Sequence, residues 1–181
     1  AYLGVKKQLP QLEHHNLYFA EDWDGHFDMI FKQPGWPEKP CFYLSAISKT
    51  DKDAAPPGAE NLFLLVPVAS GMEDTDEVRA QYFDSVMDHV ENVIGTTLRD
   101  AIEVKRIYSH RDFAADYNAF KGTALGIAHT LGQTAVFRPS HRSKRVKNLY
   151  YTGQYTHPGV GVPMTLISSS IVADEVMRDA S

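Results

Sequence analysis

Cysteine is nearly missing from this chain. Cys41 stands alone, so no internal disulfide framework can form, and a reducing compartment suits the protein at least as well as an oxidising one. Long apolar runs are missing too: nothing approaches the roughly 18 consecutive apolar residues of a membrane span, and no N-terminal signal peptide is visible. Positive charge is in deficit. The net charge is -5, which removes the electrostatic case for nucleic acid. The local exception is the basic run RPSHRSKRVK at 138–147, read first as a solvated loop and second as a phosphate or anionic-membrane patch. Internal repeats and low-complexity tracts are also lacking. What is there is an ordinary globular balance over 181 residues, 43% hydrophobic, 11% aromatic and 23% charged, enough for one domain or one and a half with a true core. The chain opens on alanine in what reads as the middle of a domain, so the expectation is a C-terminal piece of something longer.

Along the chain, LEHHNLYFA (12–20) reads as a strand, and DWDGHFDMIFKQ (22–33) spaces Trp23, Phe27, Ile30 and Phe31 as a helix does. After the proline-rich loop QPGWPEKP, the runs CFYLSAISK (41–49) and NLFLLVPVA (61–69) read as neighbouring antiparallel strands, with Pro67 at an edge or near a strand end. The clearest helix follows. Asp74 and Glu77 have capping-box spacing, Val78, Tyr82, Val86, Val90 and Val93 form an apolar stripe, and Gly95 ends it. AIEVKRIYS (101–109) alternates like a half-buried strand, and HRDFAADYNAF holds a short helix. The glycine-spaced stretch from 121 to about 139 has no dominant period. NLYYTG (148–153) reads as a buried strand and 163–178 as the last helix. The fold class expected is α+β, an antiparallel or mixed sheet with packing helices followed by a strand-turn-helix unit.

That last unit invites a chemical reading. In THPGVGVPM, Gly159 and Gly161 remove side chains where the chain turns, so a ligand can touch main chain. Pro163 suits a first helical turn, where its missing N–H costs nothing. The helix start offers free N–H groups and partial positive charge to an electron-rich atom. Small Ser168, Ser169, Ser170 and Ala173 permit close packing on one face. Taken alone, glycine and proline before a helix is more often an ordinary loop.

In combination it is more specific. NLYYTGQYTHPGVGVPMTLISSSIVADEV resembles the C-terminal signature of the phytoene desaturases, the FAD-dependent carotenoid dehydrogenases of bacteria and archaea within the amine-oxidase-like superfamily. The segments HHNLYFAEDWDGHFDMIFKQ, ENLFLLVPVASG and DFAADYNAFKGTALGIAHTLGQTAVFRPSHRSKRVKNLYYTG are similar to the same enzymes in the same order, so nearly the whole chain is covered. The resemblance implies a flavoprotein that desaturates a long acyclic carotenoid of the phytoene type by hydride transfer to flavin N5. It implies a portion of the carotenoid-binding domain at 1–110 and, at 111–181, a segment returning to the FAD domain. It implies FAD contacts from Gly153, Gln154, Gly161, Val162, Pro163, Met164 and Thr165. It also implies a cytoplasmic protein that associates peripherally with a membrane.

One departure matters. No G-x-G-x-x-G after a strand occurs here, so the N-terminal half that grips the ADP moiety is absent from this sequence. The chain alone is then expected to be inactive and not to retain FAD. His129 and His157 are the nearest candidates for a general base by the same resemblance, but a lone histidine is more often structural or at the surface, and neither is expected to be essential. Adjacent His14 and His15 would face opposite ways on a strand, the eight histidines show no zinc-ligand spacing, and Asp112 and Asp116 read as a solvated helix face. Three alternatives stay open: a related carotenoid isomerase or oxidase, a non-catalytic α+β substrate or interaction module, and a partner of a separate chain carrying the missing half.

Overall fold

The computed structural model describes all residues, 1–181, and they form two compact units, Ala1–Gly122 and Thr123–Ser181. The first unit is built on a five-stranded sheet. Its strands are β1 (Tyr2–Val5), β2 (His15–Tyr18), β3 (Phe42–Ala46), β4 (Glu60–Leu65) and β5 (Ile102–Arg106), in spatial order β2-β3-β4-β1-β5. Every pairing is antiparallel. The expected pairing of 41–49 with 61–69 is realised with Tyr43 opposite Leu65 and Ala46 opposite Leu62, and Pro67 falls just beyond the end of β4.

The buried face of the sheet presents Leu3, Val5, Leu44, Ala46, Leu62 and Leu64. Against it packs helix α2 (Asp76–Ile94) through Phe83, Val86, Met87 and Val90, with Leu9, Leu12 and Leu98 closing the core. Each fully buried side chain of this size contributes about 1.5–3 kcal/mol over leaving it in water. The long helix is where the sequence places it, but its buried stripe is turned slightly from the expected one. Val78 and Tyr82 are only half-buried and Val93 is exposed, whereas Phe83 and Met87 are fully inside. The N-cap is Thr75, whose hydroxyl accepts from the Val78 N–H. Asp74 is occupied instead by a two-point pairing with Arg79 at 2.6 and 2.7 Å. Gly95 ends the helix in the left-handed conformation, as expected.

Three other expectations are corrected. β5 lies at the sheet edge, and only Ile102 of it is half-buried while Val104 is exposed. His14 precedes β2, so strand alternation does not separate it from His15, and their rings lie 4.1 Å apart. Each ring has its own partner, His14 with the Thr50 hydroxyl and His15 with the Tyr43 hydroxyl, both at 2.6 Å. Helix α3 (His110–Tyr117) does not leave Asp112 to solvent. Asp112 accepts from the Ser109 backbone N–H at 2.8 Å and pairs with Arg79 at 2.7 Å. Burial pushes its carboxyl up, but the Ser109 N–H and the Arg79 guanidinium outweigh this and hold it below the usual range. Asp116 accepts from the Tyr108 hydroxyl. The remaining helix of this unit, α1 (Trp23–Phe31), buries His26 and carries a ladder of exposed aromatics, Trp23, Phe27 and Phe31, continued by Phe19.

Candidate functional site

The second unit has little regular structure before its final helix, α4 (Val162–Ala180). The expected strand at 148–153 is reduced to a single antiparallel bridge between Arg142 and Tyr150, and Leu149 and Tyr151 are exposed rather than buried. A strand is held by neighbours, and within this unit that segment has only one hairpin arm beside it. Tyr150 donates its hydroxyl to Asp179, Arg142 pairs with Glu175 and Asp179, and the His141 ring donates from Nε2 to the His157 carbonyl at 2.8 Å. The contacts to Glu175 and Asp179 tie the hairpin to the far end of α4, and the one to His157 ties it to the turn before the helix.

Between hairpin and helix lies the turn that the sequence singles out. Gly153, Gly159 and Gly161 all have positive φ, at 103°, 138° and 118°, a region that side chains disfavour. Their surroundings differ. A Cβ on Gly153 or Gly161 would meet nothing within 4 Å, whereas one on Gly159 would come within 2.5 Å of the His129 ring. The bare Cα of Gly159 therefore serves internal packing rather than ligand approach. The bare Cα atoms of Gly153 and Gly161 face open space.

Gly161 is the N-cap of α4 and has no side chain to cap it. The first intrahelical bond runs from the Thr165 N–H to the Gly161 carbonyl at 2.9 Å. Pro163 has no N–H, so the N–H groups of Val162 and Met164 remain for a ligand. Val162 and Pro163 are exposed, and Met164 and Thr165 are half-buried. The segment feeding this turn is fixed by a hydroxyl cluster. Ser168, fully buried in α4, accepts from the Gly153 N–H at 3.1 Å and shares contacts with Thr152 at 3.2 Å and Thr156 at 3.0 Å.

Arg138 is the residue that sequence reasoning missed. It opens the basic run read as solvated, yet it is 6% exposed. Its guanidinium donates to the carbonyls of Thr156 at 3.0 Å, Gln154 at 2.6 Å and Gln133 at 3.3 Å. His141 is buried as well, so the first exposed basic residue of the run is Arg142. The side chains of His129 and His157 are both exposed, and neither ring has a hydrogen-bond partner that would orient it as a base. His129 has the packing role against Gly159 described above. Cys41 is buried immediately before β3 and accepts from the Ala20 N–H, as a small core residue does. An open, uncapped helix start with two bare glycines fits the second contact of a bound flavin, the one made by main chain. It does not supply the first, which needs the glycine-rich fingerprint.

Comparison with known proteins shows the family. Residues 14–177 match the family described as flavin containing amine oxidoreductase. The chain is similar to a carotenoid 3,4-desaturase of Haloarcula japonica, 48% identical over 178 residues, which is 98% of this chain and 36% of that protein. It is similar to a zeta-carotene-forming phytoene desaturase of Myxococcus xanthus, 39% identical across 97% of this chain and 34% of that protein. A 4,4'-diaponeurosporene oxygenase of Staphylococcus aureus is 32% identical across 97% of this chain and 36% of that protein. The chain thus spans about a third of the length of the relatives it matches.

Proposed function

Because this chain belongs to the flavin containing amine oxidoreductase family, we propose that it is part of an FAD-dependent enzyme that desaturates a long acyclic carotenoid. The observation that carries this reading is the open main chain at Gly161 and the uncapped start of α4, at the point where such an enzyme needs a second flavin contact. The names of the relatives, which are carotenoid desaturases for the most part, supply the substrate class.

When bound, FAD would supply the acceptor for a hydride from an unactivated allylic C–H. What the chain's own residues do is narrower. Gly153 and Gly161 let the cofactor approach bare backbone, and Gln154, between them, is held by its carbonyl rather than by its side chain. The N–H groups of Val162 and Met164 favour an electron-rich edge. Pro163 sets the first turn and Thr165 closes it. Neither His129 nor His157 is assigned the role of base. The rest of the flavin site, with the glycine-rich fingerprint, would come from the remaining two thirds of a protein as long as its relatives, or from a separate chain. In that setting 1–110 would serve the carotenoid and 111–181 the flavin. The protein would work on the cytoplasmic side, associated peripherally with the membrane that holds so apolar a substrate. No helix here is long and apolar enough to cross a membrane.

A second reading within the family, oxidation without desaturation, is favoured by the diaponeurosporene oxygenases among the relatives. One experiment tests the desaturase reading. The full-length protein is mixed anaerobically, with FAD present, with an acyclic polyene in liposomes, and the polyene absorption is followed. A stepwise red shift, reporting a longer conjugated system, is expected. An unchanged spectrum at stoichiometric protein overturns the desaturase reading.

A further inference from the structure

Arg138 alone among the arginines and lysines of Thr123–Ser181 is buried. No carboxylate pairs with it, and its charge is met by three backbone carbonyls from two separate stretches, Gln133 on one side and Gln154 and Thr156 on the other. A buried guanidinium without a counter-ion is costly unless its planar fork is well satisfied. Here that fork spans 2.6–3.3 Å contacts to all three oxygens. The turn is packed onto it as well, since a Cβ on Gly159 would lie 3.7 Å from the Arg138 Cζ.

We propose that Arg138 is the positioning residue of the flavin-facing turn: its fork draws the Gln154 and Thr156 carbonyls to its own side and so fixes the path from Gly153 to Gly161. This rests on the flavin reading of the turn given above. The consequence is electrostatic as well as geometric. Carbonyl oxygens that would repel an electron-rich ligand edge are engaged by Arg138, while the N–H groups at the start of α4 stay unengaged. The positive charge that Arg138 buries beside the turn has the same sign as that helix end and reinforces it. Lysine keeps the charge but has no planar fork, and it cannot reproduce the three-carbonyl geometry.

The test uses the full-length protein, stripped of FAD and titrated with FAD, with flavin fluorescence quenching for affinity and the visible absorption bands of the bound flavin as signature. In Arg138→Lys, which loses part of the fork, the melting temperature without FAD falls moderately and the protein still folds. FAD binds at least ~10-fold more weakly, the scale of one charge-assisted hydrogen bond, and the bound-flavin bands move toward those of free FAD. Arg138→Met shows the larger effect, and if it does not fold, the lysine variant decides. Exposed Arg145→Met behaves as the parent protein does. Gly161→Val separates the two ideas. If it loses FAD while Arg138→Lys binds with parental affinity and bands, the Arg138 proposal is overturned and the flavin reading stands. A lowered melting temperature in Arg138→Lys with unchanged affinity and bands overturns it too, because that is a merely structural role. Full FAD content in Gly161→Val overturns the flavin reading itself.

Discussion

Gly159 lies against His129 so closely that a Cβ at 159 would sit 2.5 Å from the His129 Cε1. The glycine also holds φ at 138°, outside the range of ordinary side chains. Two separate costs therefore fall on Gly159→Ala, backbone strain of about 1–3 kcal/mol and a displaced imidazole. Thermal melting should show a clear loss of stability. His129→Ala in the same background should recover the part due to the clash and leave the backbone part. At Gly161, where nothing stands within 4 Å, alanine should cost only the backbone term. Equal losses at the two glycines would contradict the packing described.

A second prediction concerns acid. Glu60 opens β4 with its side chain 6% exposed, accepting from Lys49 at 2.7 Å, from the Leu9 N–H at 3.3 Å and from the Ser48 hydroxyl. Burial pushes its carboxyl up, but Lys49, Ser48 and the Leu9 N–H outweigh that and hold it below its ordinary value of 4.5. A depressed carboxylate contributes stability above its unfolded pKa and loses it as pH falls through the folded one. Urea midpoints should therefore hold steady from pH 7 to about 5 and drop below about 4.5. Glu60→Gln should start about 1–3 kcal/mol lower at pH 7, since it leaves the Lys49 charge half-buried without its partner, and should show a shallower acid drop. An acid limb as steep as the parent's would remove Glu60 as its source.

A third prediction follows from the absent fingerprint. Purified alone, the chain should be colourless, with no flavin bands in its visible spectrum, because only the proposed main-chain contact at Gly153 and Gly161–Thr165 is present. A yellow preparation with one FAD per chain would show a site far more self-sufficient than this geometry allows.

Much of the first unit was legible because its signals are local. The period of α2, the left-handed stop at Gly95 and the apolar runs of β3 and β4 each follow from residues within one segment. What was not legible depends on partners distant in sequence. Thr75 caps α2 because Asp74 is drawn away by Arg79 and by the Arg111 N–H. β1 is only four residues long, and it takes its place between β4 and β5 through pairings from both sides. At the candidate site the glycines marked the turn, but which of them are left open is decided by His129, some thirty residues before Gly159. Arg138 was hidden for the same reason: its acceptors are backbone carbonyls, which carry no sequence signature, and its neighbours in the chain are basic.

The hydroxyl cluster gives the last prediction. Ser168 is fully buried on α4 and meets the Gly153 N–H, Thr152 and Thr156 at 3.0–3.2 Å, so one small side chain joins the helix to the first half of the turn. Ser168→Ala keeps the packing volume nearly constant but leaves the Gly153 N–H without its acceptor, a loss of about 1–3 kcal/mol. Exposed Ser170→Ala, two positions on, should be close to neutral. The difference between them isolates the hydrogen bonds from helix propensity, which the two substitutions share. Hydrogen exchange of the Gly153 amide supplies the local readout. It should accelerate in Ser168→Ala and stay unchanged in Ser170→Ala, and equal protection in both would mean that the turn is held by Arg138 without help from the helix.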